Sequence, residues 1–190
     1  MSSIRYCKCH FHNGESEHWG ILDRKAFAQK GANPHFAPDT PLLPKHLLLE
    51  LSFDWDEERV WGSTTYDLKV NGYDVQEIVF DAVNLEIEKV MLGRRSLEFE
   101  NTGERVIISL EKVLKYGGTA QLKIFHSVTR PQAGIYFTKP DEAYPDRFKT
   151  VWTQGQDEDS KYYFPCFDQP NFKQTTEVKL HLPKGMFGYN

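Results

Sequence analysis

No stretch of the 190 residues approaches the roughly 20 consecutive apolar side chains that a membrane-spanning helix needs. The chain starts Met1-Ser2-Ser3-Ile4-Arg5-Tyr6-Cys7, with no apolar signal-peptide core, so a cytoplasmic protein without membrane contacts is expected. Cysteine is scarce. There are three, Cys7 and Cys9 lie too close for an easy mutual bridge, and Cys166 stands far away between Pro165 and Phe167. That excludes a disulfide framework and leaves Cys166 expected buried and reduced. A strong charge of one sign is lacking too. The net charge is −4 with 26% charged residues well mixed, so nothing electrostatic points to nucleic acid or an anionic membrane as partner. Hydrolytic signatures are missing as well: no H-E-x-x-H, no G-x-S-x-G and no phosphate-cradling glycine loop. Nothing in these residues is expected to split a bond by itself.

What is present is enough for one packed domain. Apolar residues make up 39% and aromatic residues 14%, which is a core's worth at this length. Residues 1–45 read differently from the rest. They carry four of the seven histidines together with Pro34, Pro38 and Pro41, and show neither strand nor helix periodicity. They are expected to form an irregular extension closed by Pro44. Within it, Cys7, Cys9, His10 and His12 are the ligand types zinc prefers. The C-x-C-H-x-H spacing is too tight to wrap a tetrahedron, however, and no second half-site exists, so an exposed terminus is the expectation.

From residue 46 onward the two-residue period of half-buried strands recurs. Leu47, Leu49, Leu51 and Phe53 share one face, and after a polar turn Val60, Thr64, Tyr66, Leu68 and Val70 return on one face. The pair predicts a long antiparallel hairpin. Further strands are expected over 78–83, 85–92, 96–100, 105–110, 120–128 and 176–182, separated by Gly93, Asn101-Thr102-Gly103 and Gly117-Gly118. The best helical candidate is one or two turns within 157–163. The expected fold is all-β: an antiparallel β-sandwich or saddle-shaped curved sheets.

One segment stands apart. Between Val151 and Lys173 the chain concentrates Trp152, Tyr162, Tyr163, Phe164, Phe167 and Phe172 with Pro165, Pro170, Gln154 and Gln156. Loops this aromatic either pack onto a neighbouring domain or line a pocket. Its carboxylates, Asp157-Glu158-Asp159, read as a solvated loop or helix start. Asp168, set among proline-bounded turns, reads as an architectural group bonding nearby backbone N–H groups.

Thr153-Gln154-Gly155-Gln156 followed by Phe164-Pro165-Cys166-Phe167-Asp168-Gln169-Pro170-Asn171-Phe172-Lys173 resembles the M1 family of zinc aminopeptidases. Val79-Phe80-Asp81, Gly134-Ile135-Tyr136 and the stretch from Val178 to Met186 fit the same pattern, so the resemblance covers roughly residues 45–190. It implies a saddle-shaped first domain that caps a thermolysin-like catalytic domain. It further implies that Gln154 helps wall the pocket for the substrate's first side chain and that Gln156 contacts the peptide's free α-amino group. An ammonium offers donors that an amide carbonyl can accept. Many family members place glutamate where Gln156 stands, so the neutral amide shifts more of the amine recognition onto a glutamate of the catalytic domain.

The zinc ligands and general base of the family fall beyond Asn190. The resemblance therefore implies zinc in the full-length parent and none in this part, an inactive fragment, and a domain (46–190) incomplete at its C-terminal end. An edge strand left unpaired there would invite dimerisation. The expected partners are a peptide N-terminus and the downstream catalytic domain of the same chain. Two other functions fit the residues: a non-catalytic scaffold keeping the M1 shape, and a free-standing β-sandwich module binding carbohydrate on its aromatic loop. The last predicts a shallow exposed aromatic face, whereas the aminopeptidase predicts a loop packed flat with its glutamines open.

Overall fold

A computed structural model describes residues 41–189. The Cys and His tract at 7–12 and most of the expected irregular extension lie outside the described residues. The strands are β1 (Leu42–Asp54), β2 (Arg59–Val70), β3 (Val75–Asp81), β4 (Glu86–Leu92), β5 (Arg95–Ser96), β6 (Phe99–Asn101), β7 (Arg105–Leu114), β8 (Thr119–Thr129), β9 (Ile135–Thr138), β10 (Thr150–Thr153) and β11 (Thr175–His181). Among the described residues the only helical element is a 3-10 turn at Ser160–Tyr162, inside the window expected for it. The all-β architecture holds.

The strands form a six-stranded sheet in the order β11-β1-β2-β8-β4-β5, a three-stranded sheet β3-β7-β6, and a ribbon β10-β9. The predicted hairpin is β1 and β2, antiparallel from Leu42 opposite Val70 to Asp54 opposite Arg59. Asp54 closes its tight end: Oδ1 accepts the N–H groups of Asp56 at 2.8 Å and Glu57 at 3.0 Å. β1 begins at Leu42, within the stretch expected to be irregular. Pro44 is accommodated by a register shift between Pro44 and His46, because proline has no N–H to give the ladder and survives in strands only at such irregularities.

Alternation places the core. Leu47, Leu49 and Leu51 of β1, Val60, Tyr66, Leu68 and Val70 of β2, and Leu122 and Ile124 of β8 are all buried. They belong to one cluster with Ile78 and Phe80 of β3 and Val106 and Ile108 of β7. Each such side chain contributes about 1.5–3 kcal/mol of transfer free energy, so the two sheets hold each other through these faces. His126 lies on the inward side of β8 and is 1% exposed. Its Nε2 shares a 2.8 Å hydrogen bond with the Thr64 hydroxyl, while Nδ1 has no partner among the described residues.

Three features depart from the strand expectations. The strand expected over 96–100 is two pieces, β5 and β6, in different sheets; between them Leu97 turns inward, its N–H donating to Val90 O at 2.9 Å. β9 and β10, at four residues each, are too short for a period to show. The last strand, β11, runs parallel to β1, with Leu49 opposite Val178 and Leu51 opposite Leu180.

Candidate functional site

The two glutamines stand where the ribbon ends. β9 and β10 pair antiparallel with Tyr136 opposite Trp152, and the two rings stack at 4.4 Å and 23°. The hydroxyls of Thr138 and Thr150 share a hydrogen bond at the far end. Beyond β10 the N–H of Gln154 donates to Gly134 O at 2.8 Å, which carries the pairing one step further and fixes where the loop departs. Gly134 has a φ of +78°, and a Cβ there would overlap the carbonyl oxygen of Asp159. Only glycine meets both conditions.

The loop then closes on itself. Asp159 N–H donates to Gly155 O at 3.0 Å, and the chain enters the 3-10 turn. The Ser160 hydroxyl fills the space a side chain at Gly155 would occupy. The Gln156–Asp157 peptide bond is cis. Gln154, Gln156, Asp157 and Glu158 are exposed, whereas Asp159 is 3% exposed. Asp157 and Glu158 thus form the solvated loop expected of these acids, and Asp159 is the helix start, the residue that precedes the 3-10 turn, buried with its backbone held against Gly134.

The aromatic run faces the other way. Tyr162, Tyr163, Phe164, Pro165 and Cys166 are buried, so the loop is packed down. Cys166 forms an antiparallel bridge with Asp81 at the end of β3: Asp81 N–H donates to Cys166 O at 2.8 Å, and Cys166 N–H to Asp81 O at 3.0 Å. The Tyr66 hydroxyl donates to Pro165 O at 3.1 Å. Phe80 lies 5.0 Å from the Tyr66 ring and 4.5 Å from Phe167, which lies 5.0 Å from Phe172. These contacts tie the run to β2 and β3, and ring pairs of this kind add about 0.5–1.5 kcal/mol each beyond area.

Asp168 is buried beneath this turn. Its Oδ2 accepts the Lys161 N–H at 3.1 Å, and its own N–H donates to Asp81 Oδ2 at 3.2 Å. The architectural reading is what the geometry displays: a carboxylate fastening the 3-10 turn to the bridge. Burial pushes its carboxyl up to about 6, against the pull of the Lys161 N–H and ammonium. Burial likewise pushes up the Cys166 thiol and the Tyr66 and Tyr163 phenols. Cys166 is thus a buried free thiol of the inert kind.

The structure brings Gln154 and Gln156 together on one loop and sets Asp168 under its far foot. Sequence reasoning did not single out Tyr163, Tyr66 or Asp81 as the groups that hold the loop. A phenol and a carboxylate distant in sequence carry no local signal of that task. Among the described residues no group of three or more His, Cys, Asp or Glu side chains is placed to hold a metal ion, so no metal chemistry is assigned to them. The loop offers neutral amides, which hydrogen-bond but neither attack nor titrate.

A family model described as the Peptidase M1 N-terminal domain matches residues 43–187. Leucine aminopeptidase 2 of Yarrowia lipolytica is 25% identical over 142 residues, covering 72% of this chain and 22% of that protein. A leukotriene A-4 hydrolase homolog of Botryotinia fuckeliana is 24% identical over 147 residues, covering 73% and 23%. Leukotriene A4 hydrolase of Saccharomyces cerevisiae superimposes with a TM-score of 0.61 at 21% identity, over 75% of this chain and 24% of that one. An M1 zinc metallopeptidase of Deinococcus radiodurans does so with 0.61 at 18% identity, over 74% and 32%. At these identities the superpositions show the fold. The chain spans less than a quarter of the length of these two curated relatives. With the family model matching nearly the whole described region, the chain belongs to the Peptidase M1 N-terminal domain family.

Proposed function

We propose that this chain supplies part of the substrate-recognition surface of a zinc aminopeptidase that removes residues from peptide amino termini. Gln156 accepts a hydrogen bond from the substrate's α-ammonium through its amide oxygen, and Gln154 walls the pocket for the first side chain. The observation that carries this reading is the pair of exposed amides on a loop whose underside is fixed by Gly134, Asp159 and the buried aromatic run. A neutral acceptor for an ammonium contributes about 1.5–3 kcal/mol when the bond is charge-assisted.

The same packing weighs against a glycan platform. Tyr162, Tyr163 and Phe164 are buried and present no flat exposed face, while Trp152, 49% exposed, already stacks on Tyr136. A catalytic domain is the partner that would cover the outer side of the loop. The hydrolytic chemistry, with its zinc, belongs in this reading to that domain.

Two experiments test the assignment. Gln156→Ala in the enzyme that carries this domain is expected to raise KM about tenfold with a smaller fall in turnover, as loss of binding common to ground and transition states requires. Unchanged kinetics would remove Gln156 from the site and favour a scaffold role. The purified 190-residue chain, assayed on aminoacyl amides with added zinc, is expected to show no turnover above background. Zinc-dependent hydrolysis by this chain would overturn the division of labour.

A further inference from the structure

The ribbon that leads into the Gln154 loop has two unlike faces. Ile135 is 1% exposed, and the Phe137 ring lies 6.5 Å from Phe53 and 6.4 Å from Trp55, with Val151 half-buried against the same core. Alternation sends their neighbours the other way. Tyr136 and Trp152 stand opposite one another on the outer face and stack, and the hydroxyls of Thr138 and Thr150 meet beside them. Gln154, two residues past Trp152, continues that side of the strand about 7 Å further along.

The core does not call for an indole at position 152, because the inward side of the ribbon is already closed by Ile135, Phe137 and Val151. Trp152 instead gives one ring face to Tyr136 and keeps 49% of its surface open. An open ring attracts apolar groups through the area they bury and cations through its quadrupole. Every side chain named on this outer face is neutral. No carboxylate on it assists a cation, so apolar contact is what the face rewards.

We propose that Trp152, held in place by Tyr136, is a specificity-determining residue for the peptide's first side chain. The wall begun by Gln154 continues onto the indole, and the site takes phenylalanine, leucine or methionine in preference to alanine or glycine. This inference rests on the reading of the glutamine loop as the peptide-binding site. The stack on Tyr136 fixes the indole before substrate arrives, which spares an ordering cost at the moment of binding.

The test is a set of aminoacyl amides, differing only in the first side chain, given to the enzyme that carries this domain. Trp152→Ala is expected to lower kcat/KM on the phenylalanyl and leucyl amides about tenfold, and on the alanyl amide within about twofold. Trp152→Phe, which keeps a ring to stack on Tyr136, is expected to preserve the original order of preference. An equal fall on all three amides would mark Trp152 as a contact with the rest of the enzyme and overturn the proposal, as would no fall on any. A greater loss on an arginyl amide than on the phenylalanyl one would overturn the apolar class. The 190-residue chain with Trp152→Ala is expected to keep a single cooperative urea transition, since the ribbon's core face is untouched; loss of that transition would make the indole scaffold and sink the idea. Gln156→Ala separates this inference from the reading beneath it. A raised KM there, beside an unaltered preference in Trp152→Ala, removes the inference alone. Unchanged kinetics there, beside an altered preference in Trp152→Ala, removes the amine acceptor and leaves the side-chain wall standing.

Discussion

Replacing Gly134 with alanine is expected to destabilise the domain by about 3 kcal/mol or more, read as a fall in the urea midpoint with the slope unchanged. Two costs combine. The residue holds a φ of +78°, and an L side chain in that left-handed region costs about 1–2 kcal/mol. A Cβ would also overlap the Asp159 carbonyl oxygen and stand 2.9 Å from Cδ1 of Tyr163. One neighbour is backbone and the other a buried ring, so neither yields without moving the loop. Gly103→Ala is the control, since Gly103 has a φ of +86° but nothing within 4 Å of the new Cβ; its loss is expected to stop at the conformational part. Equal losses at the two positions would show that the contact with Asp159 and Tyr163 is not what requires glycine. A Gly134→Ala chain that folds is also expected to lose the hydrogen bond from Gln154 N–H, linking stability to the placement of the site.

Acidification is expected to strain the domain through one buried imidazole, with one carboxyl resisting. Burial lowers His126 from 6.5 to about 3. A depressed histidine lends stability that is present above the unfolded value and lost as pH falls toward the folded one, because the unfolded chain takes the proton first. Between pH 7 and pH 4 this amounts to about 3 kcal/mol at 1.36 kcal/mol per unit. Asp168 acts in the opposite sense. Its carboxyl is raised from 3.8 to about 6, so it adds stability as pH falls through 6, fully present below about 3.8, and offsets most of the histidine loss on the order of 2 kcal/mol by pH 4. Asp168→Asn, which keeps an oxygen to accept the Lys161 N–H, is therefore expected to steepen the fall in stability between pH 6.5 and pH 4. His126→Gln is expected to flatten it. Urea titrations across that range decide, because slopes against pH are compared and any constant packing loss in a variant cancels. A chain in which Asp168→Asn leaves the pH profile unchanged would show that this carboxyl does not titrate against the fold.

The sequence and the tertiary structure contributed different things, for reasons visible in particular residues. Strands as long as β1, β2 and β8 declared themselves because one face of each is buried, which forces a two-residue period over ten or more positions. The hairpin joining β1 and β2 was legible for the same reason, with Asp54 supplying its turn chemistry. β9 and β10 were not legible, since four residues cannot display a period, yet they are the ribbon from which the candidate site departs. Nor could the parallel seat of β11 beside β1 be read locally, because alternation reports a buried face and says nothing of the neighbour's direction.

At the site, the motif Thr153-Gln154-Gly155-Gln156 with the run from Phe164 to Pro170 was enough to identify the family and single out two amides. The sequence by itself determined an all-β domain of M1 type with Gln154 and Gln156 as its candidate contacts. Only the tertiary structure decided how that loop is held. Gly134 meets Asp159, Tyr66 meets Pro165, and Asp81 bridges Cys166. Most of these are encounters between residues far apart in the chain, where close packing and buried hydrogen bonds set the partner and no local periodicity can.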